Sequence, residues 1–345
     1  MTRPYKRIAT EEAFMAPLVR DLYSRGIARG AFGDSGFVRM WGTIFTDKNP
    51  FIEGLMDIGP LRLAEMERAG IDMHLLSQTA PGLQVLDRDT AVGAMPELND
   101  YLAQAVARHP TRFAGLCSIA PQDPAASARE IERCRGRLGL GGIMINSHTN
   151  GEWLDREKYW PIFEAAEASD MTIYIHPQTP MPGLSEFVRQ GMEMAFYGFA
   201  VEVSTHMLAI IASGALDRFP KLRFVLGHLG EGLPYWLYRF DYMQWHLTRP
   251  GIPARPEPRK LELKISEYIR RNVWATTSGM PAPEPIRFAQ KQIGEDHVLY
   301  AMDYPYQNEP DEVAMTEEAL TDSNRKAFWE DIARGLFHID GPVGA

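Results

Sequence analysis

The sequence predicts a (β/α)8 TIM-like barrel with an insertion after the first strand, on three observations. Eight short segments rich in β-branched or aromatic residues are bounded by turn signals. Helical patterns separate them, and parallel neighbours need such crossovers. Eight units in a chain of 345 residues suit a closed barrel better than an open doubly wound sheet. One barrel domain over 1–345 is expected, with 14–59 inserted over the active face.

The first strand is expected at 7–13 ("RIATEEA"). The strand-poor stretch from Met15 to Gly59 leaves that strand's C-terminal end, the side that carries chemistry in a barrel, so it is expected to shape a substrate lid. "PLRLAEMERAG" places apolar residues at helical spacing and stops at Gly70, a natural C-terminal signal. Strand two follows at 71–78 ("IDMHLLSQ"), and a helix over "AMPELNDYLAQAVARHP" ends before Pro110. Strand three is expected at 113–120 ("FAGLCSIA"), and "ASAREIERCRGRLG" leads to strand four at 142–148 ("GIMINSH"). "EKYWPIFEAAEASD" precedes strand five at 172–177 ("TIYIHP"), and "GFAVEVSTHMLAIIASGALDRFP" precedes strand six at 223–230 ("RFVLGHLG"). "LELKISEYIRR" leads to strand seven at 272–279 ("NVWATTSG"), and strand eight closes the set at 298–305 ("VLYAMDYP"). The glycines of "RLGLGG" precede a strand rather than follow one, which is the wrong place for a dinucleotide fingerprint.

Bulk properties exclude several classes. Apolar residues make up 45% of the chain, ample for a large core. A formal charge of −9 argues against nucleic acid or an anionic membrane surface as partner. Two cysteines, Cys117 and Cys134, imply no disulfide framework and fit a reducing cytoplasm. The start is basic, but glutamates stand where a signal peptide needs its apolar region. The longest apolar run, around "MLAIIASGAL", is too short to span a bilayer. A cytoplasmic globular protein is expected.

In a barrel, catalytic groups sit at the C-terminal ends of strands. Those ends supply Glu11 or Glu12, His148, His176, His228 and Asp303. Imidazole and carboxylate oxygen are good ligands for zinc or manganese, and positions 11, 176, 228 and 303 would converge on the barrel axis. Singly, each has a plain alternative: a core histidine at 176 or 228, a turn-capping aspartate at 303. Occurring together at the ends of strands one, five, six and eight, they point to a shared site. His74 and His109 read as structural. His206 lies four residues after Glu202 on one helical face, and a local side-chain contact is expected there.

The strings "RIATEEAF", "APQDP", "INSHT", "YIHP", "GHLGE", "YWLYRFDYM" and "YAMDYPYQ" together resemble the amidohydrolase superfamily. Within it they resemble the decarboxylase branch of aminocarboxymuconate semialdehyde, γ-resorcylate and, most closely, 5-carboxyvanillate decarboxylases. That superfamily usually opens with His-x-His on its first strand, where this chain has Glu11-Glu12-Ala13. Strand alternation gives Glu11 and Ala13 one face and turns Glu12 the other way. Ala13 leaves the second ligand position empty, and "GIMINSH" lacks the lysine of binuclear relatives. The resemblance therefore implies one divalent ion, Mn2+ or Zn2+, on Glu11, His176 and Asp303, and no organic cofactor.

The activity implied is nonoxidative decarboxylation of an ortho-hydroxyaryl carboxylic acid, in the degradation of aromatic compounds. Asp303 would protonate the ring carbon, His228 would assist as a catalytic hydrogen-bonding group, and CO2 would leave. The resemblance implies substrate contacts from His228, Glu231, Arg239 and Tyr306. Arg239 would pair with a substrate carboxylate, in its own subunit or across an interface; a surface arginine packed on Tyr235 and Tyr242 is the plain alternative. Tyr306 has the plain alternative of a loop aromatic. Where the 5-carboxyvanillate enzymes carry an arginine in the first insertion, "TDKNPFIEG" offers only Lys48, so the preferred acid can differ. A homodimer or homotetramer is expected. The rival readings are a mononuclear lactonase- or amidase-type hydrolase, a hydratase on the same barrel, and a non-catalytic barrel that binds a small aromatic acid.

Overall fold

The computed structural model describes residues 3–46, 49–181, 191–252 and 260–339. Eight parallel strands form one sheet in the order β1-β2-β3-β4-β5-β6-β7-β8. They are β1 Ile8–Phe14, β2 Met73–Gln78, β3 Phe113–Ser118, β4 Gly142–Asn146, β5 Thr172–His176, β6 Phe224–Leu226, β7 Val273–Thr276 and β8 Val298–Leu299. Every expected strand is present, and several are shorter than the sequence implies, for a physical reason. Ladders stop where the backbone turns left-handed: Ser147 has φ 44° after β4, His228 φ 50° after β6, and Asp303 φ 75° after β8. His228 and Asp303 thus lie beyond the regular pairing, whereas Glu11 and His176 lie within β1 and β5.

Strands buried on both faces carry near-continuous apolar runs. The barrel interior holds Ile8, Leu75, Leu116, Met144, Val225 and Leu299 from six different strands. The C-terminal helix Ile332–Phe337 plugs the N-terminal end of this core: Thr172 Oγ1 donates to the Leu336 carbonyl at 2.7 Å. The opposite end stays open.

β1 and β8 face each other across a seam without a strand ladder. Thr10 Oγ1 donates to the Tyr300 carbonyl at 2.8 Å, and the Ala13 N–H donates to the Tyr304 carbonyl at 2.7 Å. Pairing with β2 is irregular between Ala9 and Glu12, so β1 carries a bulge where its carboxylates stand.

The first insertion is helical, with Pro17–Ala28, Ser35–Thr43 and Phe51–Met56. Its helices were not evident in the sequence: only the second carries a side-chain N-cap, Asp34 accepting from the Phe37 N–H at 3.0 Å, and the others start without one. Asp34 meets Thr179 beyond β5, and Phe51 packs edge-on against Tyr306 beyond β8. The expected helices between strands are present, and Gly70 takes the left-handed C-terminal position with φ 68°. Among the described residues no helix is long and apolar enough to cross a membrane.

Candidate metal centre and substrate cavity

Glu11, His176 and Asp303 converge at the open end, each offering one ligand atom within 4.8 Å of the others. Glu11 is buried within β1, and its two oxygens are treated differently. Oε2 accepts hydrogen bonds from Tyr174, Ser278 and Thr276, the last at 3.0 Å. Oε1 is buried with no hydrogen-bond partner among the described residues. The hydroxyls anchor one oxygen and leave the other turned to the centre.

His176 ends β5. Its Nδ1 lies 2.7 Å from the Pro177 carbonyl, which can only accept, so Nδ1 carries the hydrogen. The Nε2 lone pair is thus free, and it stands 3.4 Å from Glu11 Oε1. Two electron-rich buried atoms facing each other suit a cation between them. Burial holds the imidazole below its ordinary pKa despite the nearby Glu11 charge, and a metal ligand must be neutral. Burial opposes the charge on Glu11, but His228, His176 and the Ser278 and Tyr174 hydroxyls outweigh it and hold the carboxyl below the usual range.

Asp303 is pushed well above the carboxylate range, first by burial and then by repulsion from Glu11, with His228 pulling the other way. It also lines a cavity of about 570 Å³ together with His228, Glu231, Trp236, Phe240 and Met280. His228 sits in a left-handed turn through Glu231 and joins Glu231 Oε1 by Nδ1 at 2.7 Å. Burial lowers the His228 pKa, but Glu231 outweighs it and raises the value to about 10. In the metal-free chain both shifts favour the protonated form, of the imidazole at the cavity wall and of the carboxyl beside it.

The other expected site residues divide. Tyr306 is buried against Phe51, and its hydroxyl meets Thr79 Oγ1 at 2.7 Å. Arg239 lies exposed on the helix Leu233–Leu247 and does not line its own chain's cavity. Glu231 faces the cavity, though His228 occupies one of its oxygens. His148 is no ligand: its Nε2 meets the Thr179 carbonyl at 3.0 Å and its Nδ1 accepts from Gly151 N–H at 3.2 Å. Glu202 and His206 meet through Ser147, at 3.0 and 3.3 Å. Lys48 lies outside the described residues. A second cavity, of about 400 Å³, is lined by Arg39, His148 and Gln178, so the first insertion does bring an arginine to a cavity wall.

Sequence reasoning missed Tyr174, Thr276 and Ser278, the hydroxyls around Glu11. Period-two spacing was the available signal: Tyr174 shares a strand face with His176, and Thr276 with Ser278.

Eight parallel strands with a carboxylate–imidazole–carboxylate cluster at their C-terminal ends define a metal-centred barrel, and the chain belongs to the amidohydrolase family, which it matches over residues 52–339. Decarboxylases are among the proteins it is similar to. The structure of 5-carboxyvanillate decarboxylase from Novosphingobium aromaticivorans, complexed with manganese and 4-hydroxy-3-methoxy-5-nitrobenzoic acid, matches with TM-score 0.92 and 41% identity, over 97% of this chain and 96% of that one. The 5-carboxyvanillate decarboxylase of Sphingomonas paucimobilis matches with TM-score 0.90 and 41% identity, over 97% and 100%. γ-Resorcylate decarboxylase of Polaromonas sp. is 33% identical over 298 residues, 83% of this chain and 89% of its own.

Proposed function

We propose that this chain is a metal-dependent, nonoxidative decarboxylase of an ortho-hydroxyaryl carboxylic acid. One observation carries the reading: Asp303 belongs both to the ligand cluster and to the cavity wall. A divalent ion on Glu11, His176 and Asp303, manganese as in the related crystals or zinc, would supply Lewis-acid polarisation and a template for neighbouring carboxylate and phenol oxygens.

The residues do the rest. Loss of CO2 from an intact ring would leave an aryl carbanion, so the proton must arrive first. Asp303 gives it to the ring carbon bearing the carboxylate, the C–C bond then breaks, and its electron pair restores the ring as CO2 departs. His228, held cationic by Glu231, donates a hydrogen bond toward the substrate and offsets the charge left on Asp303. Trp236, Phe240 and Met280 give the aromatic ring an apolar seat. Tyr306, outside the residues that line this cavity, would reach the substrate from the loop after β8. Arg239 completes the site from a second copy of the chain, because in its own chain it stays on the outer face. The functional unit is thus a homodimer or a homotetramer built on it. The buried, unpaired thiols of Cys117 and Cys134 fit a cytoplasmic location.

The deciding experiment offers Mn2+- or Zn2+-loaded protein a panel of 5-carboxyvanillate, γ-resorcylate and 2,3-dihydroxybenzoate, with CO2 and the product phenol as readouts. Turnover of at least one acid is expected. No turnover of any, with metal demonstrably bound, sinks the reading; hydrolysis of lactones or amides in a parallel panel would replace it with the hydrolase.

A further inference from the structure

Glu12, the neighbour of the candidate ligand Glu11, is fully buried and does not face the cavity. Its carboxylate is nevertheless committed to one place in the site. Oε1 accepts from the Met302 N–H and Oε2 from the Tyr304 N–H, both at 3.0 Å. These are the N–H groups of the two residues on either side of Asp303. The residue between them holds φ at 75°, a left-handed conformation that an aspartate keeps only where its surroundings impose it.

The surroundings on the far side are equally specific. Arg62 is fully buried beneath the seam and donates to the carbonyls of Ala13 at 2.6 Å and Gly54 at 3.0 Å. Its guanidinium stands 4.5 Å over the Tyr304 ring, and its charge faces Glu12. Because β8 ends at Leu299, no ladder holds the backbone at Met302 and Tyr304. The Ala13 N–H takes the Tyr304 carbonyl across the seam, and the side chain of Glu12 takes the two N–H groups. A carboxylate can accept from both N–H groups at once, whereas an amide would oppose one of them with its own N–H.

We propose that Glu12 is a positioning residue: its carboxylate clamps the N–H groups flanking Asp303, holds the left-handed turn, and so aims the Asp303 carboxyl at Glu11 and His176. The inference rests on the reading of Asp303 as a ligand, and adds that this ligand is placed by a strand-one side chain rather than by its own strand.

Mn2+ alone is the probe. Its affinity is measured on full-length wild type, Glu12→Gln, Asp303→Asn and the double variant, with melting temperatures alongside. Glu12→Gln is expected to weaken Mn2+ binding by about 10-fold or more, in the range of outer partners of metal ligands. In the Asp303→Asn background the same change is expected to add less than about 2-fold, because Glu12 acts through Asp303. A purely structural role would lower the melting temperature but leave the two losses additive. Amide exchange supplies a second readout: slow at Met302 and Tyr304 in wild type, about 10-fold faster or more in Glu12→Gln. Should Glu12→Gln not fold, Glu12→Asp, which keeps the charge but is one methylene too short for both N–H groups, takes its place.

Wild-type Mn2+ affinity in Glu12→Gln overturns the inference while leaving Asp303 a ligand, if Asp303→Asn is weakened. Additive losses overturn it too, as does fast exchange of the two amides in wild type. Unchanged affinity in Asp303→Asn is the separate result that overturns the ligand reading, and this inference with it.

Discussion

At the scale of single residues, the centre is a contest between burial and neighbouring charge, and each side chain makes it measurable. Asp303→Asn keeps size and shape but removes the transferable proton. Turnover is expected to fall by about 10²-fold or more with little change in melting temperature; near-wild-type rates would take Asp303 out of the chemistry. Glu231 holds His228 protonated up to about pH 10, against the burial that opposes it and above the ordinary value near 6.5. The sign follows: the stabilisation is fully present below about pH 6.5 and is lost as pH rises through about 10. Metal-free wild type should therefore be more stable to urea than Glu231→Gln at pH 6, with the gap closing by about pH 10.5. A gap constant with pH would mean that His228 is not the titrating group. Glu11, His176, His228 and Asp303 were legible as residues because each stands at or near the C-terminal end of a strand and none is a common strand former. Tyr174, Thr276 and Ser278 were not, because hydroxyl and aromatic residues are ordinary in strands and their convergence on one oxygen exists only once the barrel closes.

At the scale of elements, the sequence displayed the strands well and their ends poorly. Apolar runs at 172–176 or 223–226 announce themselves through burial, but "HLGE" and "AMDYP" look like strand continuation until backbone geometry shows them turning left-handed. In the first insertion the second and third helices are too short, at 9 and 6 residues, to repeat a face, and the longer Pro17–Ala28 starts without a side-chain cap to announce it. The ends are also where elements approach most closely. At Gly227, between β6 and the His228 turn, φ is −67°, so alanine is conformationally acceptable; a Cβ there would nonetheless stand 2.9 Å from Glu11 Oε2 and 3.1 Å from Ser278 Oγ. Gly227→Ala should fold yet bind Mn2+ about 10-fold more weakly, by disturbing the hydroxyl cradle of Glu11. Titration of Mn2+ at wild-type affinity would show the cradle to be unimportant. Gly141, ahead of β4 at the other end of the barrel, fails for a different reason. Its Cβ would stand 1.6 Å from the Phe337 carbonyl oxygen, so Gly141→Ala must displace the C-terminal helix. A loss of about 1–3 kcal/mol by urea unfolding is expected, without a specific metal defect.

At the scale of the whole molecule, one face stands out for its exposed aromatic surface. The helix Leu233–Leu247 exposes Tyr235, Trp236, Tyr238, Tyr242 and Trp245, with Tyr235 at 72% and Tyr238 at 82% accessibility, beside an exposed Phe288. Contiguous aromatic surface of this kind marks an interaction site. Arg239 stands on the same helix, and the cavity walled by Trp236 opens beside it. In a two-fold dimer each copy offers the same patch to the other, so an arginine that misses its own cavity can serve its partner's. The proposed arrangement makes a sharp prediction. Arg239→Ala and Asp303→Asn proteins should each be nearly inactive alone, for different reasons. Mixed and allowed to exchange subunits, half of the dimers are heterodimers, and each heterodimer has one cavity with an intact Asp303 facing an intact partner arginine. Activity should recover to about a quarter of wild type, and Tyr238→Glu, which charges the centre of the patch, should abolish both the recovery and the dimer seen by sedimentation. Dimers that exchange subunits without recovering turnover would confine Arg239 to its own chain or remove it from the site. A monomer with full activity would refute the shared site outright.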